Sequence, residues 1–363
     1  MDNTTQALLL IDNLKPLSYN KKQKLIELFD NIEDILKVEK VKSKREQIIQ
    51  IVDLPIYSQL IDDLNKDFIS SLISTLNSYK IEVLSCMDND YPITLANIDT
   101  PPIIIYYKGD KSLLNSPCMA VVGSRKITNY GEMVTQKFTK DLVKFNFTIV
   151  SGLAYGVDSF AHRETLASGG KTIAVLAGGL DKIYPASNVS LAKQIVSNGG
   201  LIISEFPPKT KLETHMFPIR NRIIAGLSKG VLITEAYEAS GVIHTKNYAL
   251  DYGRDVFAVM GSIFSEASAG ANQMIVNGHA KAVRSVEDIV EEYNIIPLIK
   301  KNEQKDFTLQ EQEIIDFLGK GEKSFQEMVD GLGLSASVLN TLLTKLSIRG
   351  IIKKLAGNTY FLN

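Results

Sequence analysis

Loops rich in glycine and serine recur in the middle of the chain, each after a run of apolar residues. The first reads GSRKITNYG from Gly123, with an arginine near its start. Others are SGLAYGVD from Ser151, AGGLDKIYP from Ala177 and SEFPPKTK from Ser204. Glycine lets a backbone turn tightly, and a helix that follows such a turn offers unpaired N–H groups to an anion. These loops therefore predict a phosphate-binding crevice.

Motifs of nucleotide-using enzymes are absent from these loops. A dinucleotide site needs GxGxxG after the first strand and an acidic residue about 20 residues later. Here the first loop is GSRKITNYG, and the second strand ends in Val150, Ser151 and Gly152. Neither the P-loop pattern, GxxxxGK followed by Ser or Thr, nor the GxSxG elbow of hydrolases occurs in these loops. The GxSxG match GLSKG, from Gly226, comes before an apolar run rather than after one, which is not the strand-to-helix position of the elbow. We expect phosphate-binding geometry without a cofactor and without catalysis.

Histidine and cysteine show no metal-binding pattern. None of the four histidines and two cysteines stands in HExxH or paired Cys/His spacing. Cys86 and Cys118 fit small buried residues in a reducing compartment better than a disulfide. The chain starts without a basic leader, and no segment approaches the roughly 20 apolar residues of a membrane span. We expect no metal, no membrane contact and a cytoplasmic location.

Arginine is concentrated in the segment that carries the loops. The net charge of the chain is only −1, but affinity for nucleic acid depends on where charges lie rather than on their sum. A local basic surface is therefore compatible with a nearly neutral chain. Six of the eight arginines fall in this central segment: Arg125, Arg163, Arg220, Arg222, Arg254 and Arg284.

The segment HMFPIRNRIIAGLSKG holds Arg220, Asn221 and Arg222 between apolar residues. Residues i and i+2 do not share a helix face, so both arginines reach one ligand only if the helix opens. The alternative is structural, with the arginines paired to carboxylates at neighbouring strand ends, such as Glu205 and Glu235. Further basic residues expected on the same rim favour an extended anion as the ligand: Arg125, Lys209, Lys211 and Lys246.

Six apolar runs predict the elements that position the loops. They are CMAVV, FTIV, TIAVLA, LIIS, VLIT and DVFAVM, between residues 118 and 260. Continuous Val, Ile and Ala strands about 25 to 30 residues apart, with helices between them, are typical of a doubly wound, mostly parallel sheet. The ligand crevice of such a fold lies beyond the C-terminal ends of its strands.

Helical segments flank the sheet in sequence. Residues 5–80 contain no glycine and show apolar residues at helical spacing, which predicts a small helical domain. Near the end of the chain, three short helices and two strands around a tight turn predict a winged helix. We therefore expect a helical domain at 1–85, an α/β domain at 86–295, a linker at 296–307 and a winged helix at 308–363.

Nine motifs between Tyr91 and Glu292 resemble, in order, those of the DprA/Smf family of bacterial DNA-processing proteins. They are YPITLANIDTPP, VVGSRKITNYG, SGLAYGVDSFAH, GGKTIAVLAGGLDKIYPASN, SEFPPKTK, FPIRNRIIAGLS, EASG, GRDVFAVMG and NQMIVNGHA. The resemblance implies an extended Rossmann domain that binds single-stranded DNA without catalysis. It also implies a SAM-like helical domain before that domain and a winged helix after it.

The resemblance implies partners and contacts as well. Members of the family dimerise through the Rossmann domain, bind DNA cooperatively and hand it to the RecA recombinase while opposing single-strand-binding protein. The GSR arginine, here Arg125, contacts phosphate, and Lys209 or Lys211 assists. Two positions depart from the family pattern, because Tyr155 stands where a basic residue is common and Met260 where proline is usual. A tyrosine in a DNA groove can stack on a base, which is worth about 1–3 kcal/mol.

We therefore predict a non-catalytic protein that protects incoming single-stranded DNA and loads a RecA-type recombinase on it during natural transformation. The alternative is an enzyme or sensor of the same fold that acts on a nucleotide, such as a phosphoribohydrolase with Glu205, Asp181 or Glu235 as its acid. The last helix of the winged helix carries only Lys345 and Arg349, which favours an auxiliary or protein-binding role. The predicted DNA-binding residues are Gly123, Ser124, Arg125, Lys126, Ser151, Gly152, Tyr155, Gly178, Gly179, Lys209, Lys211, Arg220, Asn221, Arg222 and Lys246.

Overall fold

Helices open the chain, as the apolar spacing predicts. Asp2 caps the first of them, its carboxylate accepting the Thr5 N–H at 2.6 Å. This helix is apolar nearly all round, and residues 8–11 have no exposed surface. The six helices are α1 (Asn3–Asn13), α2 (Tyr19–Glu27), α3 (Val38–Ser43), α4 (Arg45–Val52), α5 (Leu54–Asn65) and α6 (Phe68–Ser78).

The computed structural model describes residues 1–15, 17–294, 307–319, 321–355 and 357–362. Within them, nine strands form the main sheet: β1 (Glu82–Ser85), β2 (Ile104–Gly109), β3 (Cys118–Val122), β4 (Thr148–Ser151), β5 (Thr172–Val175), β6 (Leu201–Ser204), β7 (Gly230–Ile233), β8 (Asp255–Val259) and β9 (Lys281–Val283). Their order is β1-β2-β6-β5-β4-β3-β7-β8-β9. Strands β3 to β9 pair in parallel, whereas β1 and β2 are antiparallel at one edge. The predicted doubly wound, mostly parallel sheet is confirmed.

Helices cover both faces of the sheet. Met119 and Val121 of β3 lie in one apolar cluster, whereas Ala120 and Val122, which point the opposite way, lie in another. Burial on both faces explains why these strands read as continuous apolar runs. The helices that follow the first six are α7 (Ile93–Ala96), α8 (Asn129–Lys144), α9 (Val157–Ala167), α10 (Val189–Ser197), α11 (Met216–Leu227), α12 (Val242–Asp251), α13 (Glu266–Val276) and α14 (Glu287–Val290).

The N-terminal helices and the sheet belong to one compact unit, Met1–Ile296. Residues of α1 share an apolar cluster with Ile104 and Tyr106 of β2, and the Asn13 side-chain amide donates to the Tyr106 hydroxyl at 3.3 Å. The expected boundary after residue 85 stays a prediction; it leaves β1 on the helical side, whereas β1 pairs with β2 of the sheet. Its sequence, EVLS, is too short for an alternating pattern to reveal a strand.

The second unit is Pro297–Asn363. It contains α15 (Leu309–Leu318), α16 (Phe325–Leu332), α17 (Ala336–Ile348), β10 (Lys323–Ser324), β11 (Ile352–Lys354) and β12 (Thr359–Leu362). The strands form an antiparallel sheet in the order β10-β12-β11. These are the three helices and the strand pair expected from the sequence, and the winged-helix assignment stays a prediction. The expected linker, 296–307, lies outside the described residues except for Phe307.

Candidate nucleic-acid interface

A crevice with a volume of about 590 Å³ opens at the C-terminal edge of the sheet. Its walls come from the loops after four neighbouring strands, β6, β5, β4 and β3, together with the start of α11. This is the edge at which an α/β sheet is expected to bind a ligand. Seven of the predicted residues line the crevice: Arg125, Gly152, Tyr155, Gly178, Gly179, Lys211 and Arg220.

Positive charge predominates along the crevice. Four cations line it, Arg125, Lys182, Lys211 and Arg220, against one carboxylate, Asp181. Three of the four, all but Arg220, are exposed. They lie on three different loops, so the charge is spread along the crevice rather than focused at one point.

Lys209 stands beside the crevice but does not line it. Its backbone adopts a positive φ of 66°, and its N–H donates to the Asp181 Oδ1 atom at 2.9 Å. The Asp181 carboxylate therefore ties the loop after β6 to the loop after β5. The Lys209 side chain remains exposed next to Lys211.

Aromatic rings form another part of the lining. The Tyr184 and Phe217 rings pack edge to face with centroids 5.9 Å apart, and the Arg125 guanidinium lies 5.2 Å from the Phe217 centroid. Tyr155 and Tyr184 are 49% and 54% exposed, so their rings are available to a ligand. A base could stack on such rings while the neighbouring cations pair with its phosphate.

The N-terminus of α8 is closed by a carboxylate from elsewhere in the chain. The Thr128 N–H donates to the Glu235 Oε2 atom at 2.9 Å, and the Thr128 hydroxyl donates to Glu235 Oε1. In a dinucleotide-binding fold, this helix end would hold the pyrophosphate. The sequence predicts free N–H groups at this helix end, and the structure places the Glu235 carboxylate against it, where a bound anion would meet a like charge. The first loop offers the Arg125 side chain to an anion instead.

Arg220 acts as a brace beneath the crevice. It is only 4% exposed, and its guanidinium donates to the carbonyl of Gly152 at 2.7 Å and to the carbonyl of Val175. Its charge partner is the buried Asp158, whose carboxylate accepts the Gly152 N–H at 3.1 Å. Burial lowers the pKa of Arg220 to about 10, which leaves it charged at neutral pH, and burial raises the pKa of Asp158. The pair joins the ends of β4 and β5.

Gly156 allows the first two loops to approach each other. Its φ is +72°, and a Cβ atom at this position would collide with the Ser124 carbonyl oxygen and the Arg125 backbone. The Val157 N–H donates to the same Ser124 carbonyl at 3.1 Å. The glycine thus keeps Arg125 close to Tyr155.

His162, in the SGLAYGVDSFAH motif, is fully buried. Its Nδ1 atom pairs with the Thr172 hydroxyl at 2.7 Å, and its Nε2 atom has no hydrogen-bond partner. Burial, followed by repulsion from the Arg220 and Arg163 guanidinium groups, lowers the pKa of His162 to about 3. The imidazole is therefore neutral in the folded protein at any physiological pH.

We expect the free energy of unfolding to fall as the pH drops below about 6.5, because the unfolded chain then binds a proton that folded His162 does not. By about pH 5 this single group should cost roughly 2 kcal/mol. Urea unfolding at neutral pH and near pH 5 measures the change. The His162→Gln variant, which has no titrating side chain here, should show a smaller loss over the same interval. Equal losses in the two proteins would contradict this role of His162.

Several predicted residues lie outside the crevice lining. Arg222 pairs with Glu205, and both side chains are nearly buried, at 11% and 14% exposure. Burial raises the pKa of Glu205, and Arg222 opposes this shift. Lys246 was expected on the rim but is buried in α12, at 6% exposure. Contrary to their expected positions, neither Arg222 nor Lys246 contributes to the crevice.

Other predicted residues support the loops. The Ser124 hydroxyl accepts the Lys126 N–H at 3.0 Å, and the Ser151 hydroxyl donates to the Val121 carbonyl at 2.7 Å. The Asn221 side chain accepts a hydrogen bond from Arg220 at 3.1 Å.

Gly123 allows close packing against Val157, and Lys126 is exposed next to Arg125. Of these residues, Lys126 has a charged group free to meet a ligand outside the crevice.

Among the basic and aromatic side chains of the lining, sequence reasoning missed three: Lys182, Tyr184 and Phe217. Lys182 and Tyr184 follow the glycine pair in AGGLDKIYP, and Phe217 begins FPIRNR. A cation and aromatic residues directly after a strand-end loop were the available signal. Their spatial convergence could not be inferred, because it depends on which loops are neighbours.

Two features are absent from the described residues. No group of three or more His, Cys, Asp or Glu side chains is arranged to hold a metal. Within the same residues, no helix combines the length and apolar character needed to cross a membrane.

The fold and the crevice define a Rossmann-like α/β protein whose dinucleotide position is closed and whose strand-end loops carry cations and aromatic rings. The model of the family described as DNA recombination-mediator protein A matches residues 82–294, more than half of the chain. The chain therefore belongs to this family, which is the DprA/Smf family.

Relatives with known sequences agree with this assignment. The chain is 40% identical to the DNA processing protein DprA of Bacillus subtilis over 231 residues, which cover 62% of the chain and 77% of the relative. It is 35% identical to the Smf protein of Escherichia coli over 276 residues, or 74% of each chain.

Solved structures give the same fold. The X-ray structure of DNA processing protein A from Streptococcus pneumoniae matches with a TM-score of 0.67 and 34% identity, covering 80% of this chain and 98% of that one. DNA processing protein A from Helicobacter pylori, described for its single-stranded DNA binding mode, matches with a TM-score of 0.54 and 29% identity over 59% of this chain and 96% of that one.

Proposed function

We propose that the protein binds single-stranded DNA in the crevice, without catalysis, and delivers it to a RecA-type recombinase during natural transformation. The observation that carries the proposal is the crevice itself, in which exposed cations and aromatic rings meet beside a closed helix N-terminus. The similarity to the Helicobacter pylori protein described for its single-stranded DNA binding mode supports the choice of ligand.

A polymer fits the charge distribution better than a mononucleotide does. Arg125, Lys182 and Lys211 lie on three separate loops, and Lys209 lies beside them. A small nucleotide would meet only part of this charge, whereas successive phosphates of a strand can meet all of it. Exposed Tyr155 and Tyr184 offer ring faces to unpaired bases, which a duplex keeps stacked inside. Binding of this kind depends little on base sequence.

The contacts are divided between two kinds of residue. Arg125, Lys182, Lys209 and Lys211 pair with phosphates, and Tyr155, Tyr184 and Phe217 stack on bases. Arg220, although it lines the crevice, holds the ends of β4 and β5 through carbonyl groups and Asp158. Glycines at positions 152, 156, 178 and 179 let the backbone approach closely enough for these side chains to converge.

Assembly and delivery complete the proposal. A homodimer formed through the Rossmann unit carries two crevices, protects the incoming strand from other proteins and opposes single-strand-binding protein. The second unit acts as an accessory or protein-binding module. Support for these parts comes from membership in the DprA/Smf family.

An enzyme of the phosphoribohydrolase kind would need acids gathered at the crevice. The three carboxylates considered for that role do not converge. Glu205 pairs with Arg222, Glu235 caps α8 and Asp181 holds the Lys209 N–H. Of the three, only Asp181 lines the crevice. This arrangement favours binding over hydrolysis.

Fluorescence anisotropy with a labelled thymidine oligomer tests the proposal at two salt concentrations. We expect the oligomer to bind more tightly than a duplex of equal length and far more tightly than any nucleoside monophosphate. The slope of log affinity against log salt concentration should be about −0.7 for each phosphate that the protein neutralises. Tighter binding of a monophosphate, or release of free base from it, would contradict the proposal and favour the sensor or the enzyme.

A further inference from the structure

An exposed apolar surface lies on the same edge of the sheet as the crevice. We define the β8 platform as Tyr130 and Met133 of α8 with Met260, Ile263 and Phe264 of the loop after β8. Ile263 and Phe264 are 84% and 93% exposed, and the other three side chains are between 43% and 70% exposed. Large apolar side chains gathered in solvent mark an interaction surface.

Hydrogen bonds hold the platform in place. The Asn272 side chain of α13 accepts the Gly261 N–H and donates to the Gly261 carbonyl, both at 3.1 Å. The Tyr130 hydroxyl donates to the Met260 carbonyl, which joins α8 to the loop. The Ser262 hydroxyl accepts the Phe264 N–H at 3.2 Å. These bonds restrain the loop that presents Phe264 to solvent.

The platform lies within reach of a strand that leaves the crevice past Arg125. Only β7 separates β3 from β8, which places these two strands about 10 Å apart. Arg125 lines the crevice and Tyr130 belongs to the platform, so the segment between them connects the two sites. Lys126, which is exposed, lies in this segment. The crevice has the size of a small-molecule pocket, whereas single-strand-binding folds cover about 4–16 nucleotides. A strand of that length must continue onto the surface outside.

We propose that the β8 platform stacks bases of single-stranded DNA that extends out of the crevice, a proposal that rests on the function proposed above. Tyr130 and Phe264 supply ring faces, which accept any base. The first turns of α8 and α13 carry Glu132 and Glu266, which neighbour platform residues along the chain, so neutral bases fit the platform better than phosphates do. Lys126 provides the cation for the backbone between the crevice and the platform.

Oligomers of different length distinguish binding at the platform from binding in the crevice. We expect the affinity of the wild-type chain to rise from a thymidine tetramer to a 20-mer, and Phe264→Ala to weaken only the 20-mer, by about 5- to 100-fold. Phe264→Tyr should retain the affinity, whereas Phe264→Leu should not, because it keeps the apolar surface but lacks a ring.

A tryptophan reporter gives direct evidence for stacking, because the chain contains no tryptophan. The 20-mer should quench the fluorescence of Phe264→Trp, and the tetramer should leave it unchanged. Val276→Trp is the matched control, since Val276 is 80% exposed at the far end of α13, the helix that follows Phe264, about 15 Å from the start of that helix. Equal quenching at both positions would overturn the proposal.

The platform proposal would also be overturned if Phe264→Ala kept the full gain in affinity with oligomer length. If the same variant also changed the oligomeric state in sedimentation, the platform would be assigned to contact between copies of the chain. Failure of the wild-type chain to bind either oligomer would instead refute the proposed function.

Discussion

Replacing Arg125 with alanine is expected to weaken binding of a thymidine oligomer by about 10- to 100-fold. The reason is the loss of a charge-assisted contact to phosphate, worth about 1.5–3 kcal/mol, at the mouth of the crevice. The slope of log affinity against log salt should fall by about 0.7, since one phosphate fewer is neutralised. Anisotropy titrations at several salt concentrations measure both quantities.

Arg125→Lys separates charge from geometry. It should keep the salt slope but recover only part of the affinity, because an ammonium group lacks the planar contact that the guanidinium makes with the Phe217 ring. Lys353→Ala is the charge-matched control, since Lys353 is exposed on β11 of the second unit. Equal loss of affinity in Arg125→Ala and Lys353→Ala would refute the crevice as the binding site.

Removing Arg220 should have the largest effect on stability. Arg220→Met leaves the Asp158 carboxylate buried without its charge partner and removes the donors to the Gly152 and Val175 carbonyls. Leaving a buried charge without its compensating charge typically costs about 3–5 kcal/mol. Urea unfolding followed by circular dichroism should show this loss in the free energy of unfolding.

The double variant Asp158→Asn, Arg220→Met shows whether the charge pair is the cause. Because no buried charge is then left unpaired, it should recover part of the stability lost in Arg220→Met. A loss below about 1 kcal/mol in the single variant would contradict the brace and favour a direct role for Arg220 at phosphate. Reduced DNA binding by Arg220→Met alone does not distinguish these roles, since the brace also shapes the crevice.

The end of α8 differs from the phosphate-binding helix end of a dinucleotide-binding fold. The position that would hold a pyrophosphate contains the Glu235 carboxylate, which accepts the Thr128 N–H. A second anion at this point would meet a like charge. The proposed anion-binding groups are therefore side chains on the neighbouring loops rather than the amides of this helix end, and the glycine loop positions Arg125 among them.

Sequence patterns were sufficient to predict most strands of the sheet and to predict which edge of the sheet carries the crevice. All six apolar runs became parallel strands, because strands buried on both faces must be continuously apolar. The loops at their ends, with Arg125, Gly152, Tyr155 and Lys211, could be assigned to one edge of the sheet for the same reason. Short strands such as β1 escaped prediction, since four residues carry too little pattern.

Only the tertiary structure decided which of these polar groups are bound internally and which are free for a ligand. Glu235 lies 107 residues from Thr128, and Arg220 lies 68 residues from Gly152, so neither pairing leaves a local pattern. Such pairings depend on strand order, which the sequence does not display. The structure thus assigned Arg220 to the brace and Arg222 to Glu205, and it brought Lys182, Tyr184 and Phe217 beside Arg125.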